Sequence, residues 1–189
     1  MPMQFDKNFE NIDYSLQRLP KAEYDSCVFT NCNFSGSKIS NAEFIECQFV
    51  NCNLSNVEVI HTSFKEVRFE ECKIVGVDFG ACNPFLLNFS FENCQLSYSV
   101  FYQLDMKDTI FRNCNLEEVD FSESILRKAL FDNCDCKRAV FENSNLEESD
   151  FYSSFHYLIN PEKNRIAKAK FSKEGVLGLL EKYNISIRD

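Results

Sequence analysis

The chain has 189 residues, enough for one ordinary domain, and its 29 acidic against 20 basic side chains give a formal charge of −9. That balance argues against a nucleic-acid binder, which needs a basic face. Only 5 Gly and 4 Pro exclude a collagen-like or low-complexity chain, and 20 Phe with no Trp is an unusual way to reach 44% apolar residues.

The opening residues, MPMQFDKNFENID, lack the basic-then-apolar order of a secretory signal, and no apolar run approaches the ~20 residues of a membrane helix. The expected location is therefore the cytoplasm, where the ten cysteines are expected as thiols.

Residues 1–23 keep a five-residue rhythm loosely: Phe9, Tyr14 and Leu19 are in phase, but Lys7 and Gln17 stand where small residues belong. A degenerate terminal repeat of this kind is expected to cap a solenoid. From 24 to 79 the rhythm is strict. Tyr24, Phe29, Phe34, Ile39, Phe44, Phe49, Leu54, Val59, Phe64, Phe69, Ile74 and Phe79 are five apart, and a small or β-branched residue sits two before each.

Residues 80–90 add two positions to the frame and include Pro84, which reads as a bulge or kink in one continuous rod. The rhythm resumes over 91–151 with Phe91, Leu96, Phe101, Met106, Phe111, Leu116, Phe121, Leu126, Phe131, Cys136, Phe141, Leu146 and Phe151. Phe89 and Leu104 are bulky exceptions at the small position.

A period of five suits neither a helix nor a flat strand. It suits a chain that turns a corner every five residues, so that four sides close a square coil and coils stack ~4.8 Å apart. Central residues then point inward in columns, Phe91, Phe111, Phe131, Phe151 and Phe171 forming one. Asn31, Asn51, Asn93, Asn113 and Asn133 fall at corners, where a short amide is expected to bond its own turn. Residues 152–189 lose the rhythm and end in SKEGVLGLLEKYN. Ser172 suits an N-cap, and Val176, Leu177, Leu179, Leu180 and Tyr183 recur at α-helical spacing.

The repeated A/S/C-(D/N)-L/F-x-x pattern from Tyr24 to Phe151 resembles the pentapeptide-repeat proteins. That resemblance implies an all-β solenoid, a right-handed quadrilateral parallel β-helix, here with a short C-terminal α-helix. The tail, INPEKNRI leading into a Leu-rich helix, is similar to the C-termini of the microcin-immunity and quinolone-resistance (Qnr-like) group. It implies a tail-to-tail homodimer through Val176, Leu177, Leu180 and Tyr183; a monomer with a helical cap stays open.

Chemistry is sparse. Cys27, Cys32, Cys47, Cys52, Cys72, Cys82, Cys94, Cys114 and Cys134 hold the small inward position and Cys136 a central one, so they read as core without metal spacing. His61 falls at an outward position and His156 at a central one. No phosphate loop or nucleophile–base set stands apart from the repeat, so neither catalysis nor a cofactor is expected. Residues 91–151 hold 13 acidic and 6 basic side chains, net −7, whereas 152–189 is net +3. Glu117, Glu118, Glu123, Glu147 and Glu148 form the candidate acidic binding face. The resemblance implies a duplex-DNA mimic that binds DNA gyrase or topoisomerase IV and gives resistance to topoisomerase poisons. A protein-interaction scaffold with another partner is the alternative.

Overall fold

The computed structural model describes residues 2–187. The chain winds as a right-handed square solenoid whose short strands pair in parallel with their copies one coil away. Eleven strands carry the pairing: β1 (Met3–Phe5), β2 (Asn8–Glu10), β3 (Glu23–Asp25), β4 (Val28–Thr30), β5 (Glu43–Ile45), β6 (Gln48–Val50), β7 (Ser63–Lys65), β8 (Val67–Glu70), β9 (Phe89–Glu92), β10 (Ile110–Arg112) and β11 (Leu130–Asp132). One sheet runs β2-β4-β6-β8-β9-β10-β11 and the other β1-β3-β5-β7. The other sides are tight turns tied by single bridges, such as Gln95↔Asn115 and Asn115↔Asp135 on one side and Asp120↔Val140 on the next.

Four columns of inward side chains follow from that register. We number the sides from the one led by Phe9, so the second holds Leu116, the third Phe121 and the fourth Leu126. On the first side Phe9, Phe29, Phe49, Phe69, Phe91, Phe111, Phe131, Phe151 and Phe171 stack ring on ring, with centroids 4.3 to 5.7 Å apart. Rings of the opposite side meet them edge-on, as Phe101 does Phe111 at 6.0 Å, a favoured aromatic geometry. Lys7 and Gln17, too long for the corner, point outward.

Most corners are held in the left-handed backbone region: φ is 56° at Asn31, 51° at Asn51 and 51° at Asn113. A side chain costs energy there, least for Asn and Gly. The cost is offset because the corner N–H donates to a carbonyl one coil on, Asn31 to Val50 at 3.0 Å and Asn113 to Asp132 at 2.8 Å, or to a hydroxyl there, as Asn133 does to Ser153 Oγ at 2.9 Å. The corner amides differ from expectation. They bond one another between coils, Asn51 Nδ2 donating to Asn31 Oδ1 at 2.7 Å and Asn133 Nδ2 to Asn113 Oδ1 at 2.9 Å. In the left-handed corner the amide points along the rod, toward its copy. The turn-closing bond is made two residues later, where Ser35 N–H donates to Asn33 Oδ1 at 3.1 Å and Glu117 N–H to Asn115 Oδ1 at 2.9 Å.

Beside the phenylalanine column runs a column of six thiols: Cys32, Cys52, Cys72, Cys94, Cys114 and Cys134. Each donates to the backbone carbonyl of the phenylalanine one coil back, Cys52 to Phe29 at 3.3 Å and Cys134 to Phe111 at 3.4 Å. The recurring F-x-N-C therefore encodes a core ring, a corner amide and a buried thiol in one turn. Burial pushes the Cys47 and Cys82 thiols up to about 12 and raises Cys72 and Cys136 well above their usual value. Because all ten cysteines are buried out of a reagent's reach, a colorimetric thiol reagent at pH 8 should modify none of them in folded protein and all ten in denaturant. Rapid native labelling would contradict this packing.

The two extra residues are confined to 84–88. Ser63 still pairs with Asn83, while Phe69 pairs with Phe91. Here the fourth side loses its inward residue: Phe85 and Leu86 are 66% and 65% exposed. Phe89 turns in from the corner position instead, with its ring against Phe64, Phe79, Phe91 and Phe101. The bulky exception at 89 is thus the compensation for the bulge, and β8 pairs with β9 without interruption.

The C-terminal end departs from expectation twice. His156 is exposed at φ 58° with Nδ1 2.8 Å from Asp135 Oδ1, and Tyr157 takes the inward place. Burying the imidazole would leave its nitrogens unpaired, which is costly. The predicted α-helix is two short 3-10 turns, Gly175–Leu179 and Glu181–Tyr183. Gly175 and Gly178 weaken an α-helix and serve close approach, since a Cβ at either would collide with Tyr157. Ser172 does cap the segment, its Oγ accepting from Gly175 N–H at 2.8 Å. Leu179 is the side chain that faces the rod.

Candidate interaction surface

The five candidate glutamates do not share a side. Glu117 and Glu118 lie on the second side, Glu123 on the third, and Glu147 with Glu148 on the fourth, opposite the first pair. The reason is arithmetic: five residues advance the chain by one side, so thirty carry it a coil and a half, from 117 to the far side at 147.

Basic side chains pair with four of them. Arg138 reaches Glu117 at 2.7 Å and Glu118 at 2.6 Å, and Lys137 reaches Glu117 at 3.1 Å. Arg165 meets Glu147 at 2.8 Å and Arg127 meets Glu148 at 2.7 Å. The hydrogen bond from Lys137 holds the Glu117 carboxyl below its usual range, and that from Arg127 does so for Glu148. Glu123 has polar neighbours instead, accepting from Gln103 Nε2 at 2.7 Å. Among the described residues, carboxylates without an ion pair include Glu46, Glu66, Glu70, Glu71, Asp78, Asp120 and Glu123.

The composition of 91–151 counts charge correctly but does not show this pairing. The signal that could have found it was present: Arg127, Lys137, Arg138 and Arg165 stand eighteen to twenty-one residues from their partners, one coil along.

No group of three metal-binding side chains occurs among the described residues. His61 sits exposed at a corner, far along the chain from His156. No helix of the described residues is long and apolar enough to cross a membrane. At the C-terminal end Val176, Leu177 and Tyr183 are exposed, Leu180 is half-buried, and Leu158 and Ile185 add apolar surface nearby.

What these features define is a square parallel β-solenoid. The chain belongs to the pentapeptide-repeat family, whose repeat-region model matches residues 22–84 and 86–154. No curated protein sequence matches it. Among solved structures it resembles full-length QnrB1, a plasmid-mediated fluoroquinolone resistance protein, at 16% identity and a TM-score of 0.56, covering 97% of this chain and 100% of that one. A trypsin-treated variant of QnrB1 matches at 19% identity and a TM-score of 0.50, covering 98% and 100%. At these identities the likeness is one of fold.

Proposed function

We propose that this protein is a non-enzymatic, cytoplasmic, homodimeric rod of the Qnr-like group that occupies the DNA-binding surface of a type II topoisomerase, DNA gyrase or topoisomerase IV. It would thereby give resistance or immunity to topoisomerase poisons. The observation that carries this reading is the end-to-end likeness in fold to a fluoroquinolone resistance protein. Charge supports it. The net −7 of residues 91–151 is spread over ~15 Å of rod at ~4.8 Å per coil. Duplex DNA carries ~9 charges over the same length. Ion pairing within the rod leaves this net charge, and so its far field, unchanged.

A supercoiling assay with purified gyrase, with and without a quinolone, tests the reading. Excess protein should inhibit supercoiling or relieve the drug's effect, and binding should weaken steeply between low and physiological salt. A protein that does neither and forms no complex refutes it. The ion pairing of Glu117, Glu118, Glu147 and Glu148 favours a second reading, a scaffold that binds another partner by shape. Its affinity would change little with salt.

A further inference from the structure

The third side carries a groove that the repeat does not require. It is a depression of about 520 Å³ lined by Gly80, Ala81, Pro84, Val100, Tyr102 and Leu104, with Asp78, Asp120 and Gln103 at its rim. Its size falls within the ~300–1,000 Å³ typical of ligand sites. The groove exists because of two local departures from the repeat. The bulge raises Pro84 as one wall. Gly80 stands where earlier coils of this side carry Ser40 and Ile60, and a Cβ there would approach Asp78 Oδ1 to 3.1 Å and the Tyr102 carbonyl oxygen to 3.3 Å. The missing side chain leaves the floor open beside Tyr102, which is 40% exposed.

Charge says what fits. Asp78 and Asp120 make no ion pair among the described residues, and neither does Glu123, which lies against the Tyr102 hydroxyl and holds that phenol above its usual value. The other acidic residues of this side, Glu58 and Glu142, are paired with Lys38 at 3.0 Å and Lys163 at 2.9 Å. The unneutralised carboxylates Asp78 and Asp120 thus coincide with an apolar groove and an exposed aromatic ring, whereas the depression further along this side, around Val140 and Phe141, is bordered by Arg138 and Lys182. An anion would be repelled there, and a wholly apolar segment would strand the carboxylates.

We propose that this groove receives an arginine side chain from a basic segment of the partner protein. The guanidinium would lie against the Tyr102 ring, forked toward Asp78 or Asp120. Its planar, weakly hydrated cation suits an aromatic face beside a carboxylate better than a lysine ammonium does. The assignment rests on the reading that the partner surface is basic, and it names the part of the rod that meets it. By this account the contact is led by the third side near the bulge, away from the glutamate pairs of the second and fourth sides.

The test uses the full chain and a nine-residue peptide with three spaced arginines, alongside its lysine counterpart. The arginine peptide should bind more tightly, and amide resonances of Gly80, Val100 and Gln103 should move first. Asp78→Asn with Asp120→Asn, and separately Tyr102→Ala, should each weaken binding about fivefold or more. Glu10→Gln with Glu23→Gln, an equal loss of charge at the rod's other end, should change it less than about twofold. Equal losses in both double variants, or equal affinity for the two peptides with no effect of Tyr102→Ala, would overturn the groove. The gyrase assay separates the two ideas. Full gyrase inhibition by the Asp78/Asp120 variant would sink the groove alone, whereas peptide binding in the groove with no effect on gyrase would sink the topoisomerase reading alone.

Discussion

Phe111→Ala should lower the free energy of unfolding by about 3–5 kcal/mol, among the largest losses expected from a single side chain in the rod. Phe111 is fully buried. It lies between Phe91 at 5.3 Å and Phe131 at 5.0 Å, with Phe101 and Phe121 edge-on at 6.0 and 5.6 Å. The cavity left by its ring has no means of collapsing. Phe111 pairs in register with Phe91 below and Phe131 above, so the backbone ladder fixes the coil spacing. Phe9→Ala makes the comparison sharp, because Phe9 is half-buried, stacks on Phe29 on one face only and meets one further ring, Tyr24, edge-on at 5.8 Å. Its loss should cost distinctly less. Urea unfolding followed by far-UV circular dichroism measures both. A Phe111 variant within about 1 kcal/mol of the parent would mean that the ring column is not what holds coils together.

The core is legible in the sequence because a square coil imposes one rule on every side: a small residue just after the corner and a bulky one in the middle. Apart from 84–89 and Leu104, the residues from Phe29 to Phe151 obey it, so register and columns follow from counting. What escapes are features set by geometry across coils. Asn31 and Asn51 do stand at corners, yet their amides bond along the rod, a direction that one turn considered alone does not reveal. Phe89 looks like an error in the pattern until the exposure of Phe85 and Leu86 shows the space it fills. The glutamates read as one acidic face when charge is counted along the chain, whereas their neighbours are set by a twenty-residue step. The leucines of the tail spell an α-helix, while Gly175 and Gly178 answer to Tyr157 beneath them.

The same logic bears on where a partner can bind. A solenoid side is nearly flat and many of its charges are neutralised by neighbours one coil away, as Arg112 is shared by Glu92 at 3.8 Å and Asp132 at 3.1 Å. Recognition then needs a break in the repeat. Two breaks stand out: the bulge at 84–88 with its groove, and the C-terminal end.

At that end, Leu177→Asp should convert the proposed dimer to a monomer while leaving the rod folded. Leu177 is 47% exposed, and Val176, Tyr183 and Ile185 surround the end with further apolar surface, more than a solvated cap requires. Leu179 packs inward over the last coil, so the two leucines separate assembly from folding. Aspartate at 177 would bring one charge from each protomer into a shared apolar seam, at a cost of several kcal/mol unless it is paired. In a monomer it would merely face water. Leu180→Asp, half-buried, should dissociate the dimer as well, with some loss of stability, and Leu179→Asp should lower the melting temperature first. Light scattering coupled to size exclusion reads the mass, and circular dichroism the fold. A dimer that survives both Leu177→Asp and Leu180→Asp would move the seam to the opposite end of the rod, where Met3 and Phe5 are exposed on the unpaired edge of β1.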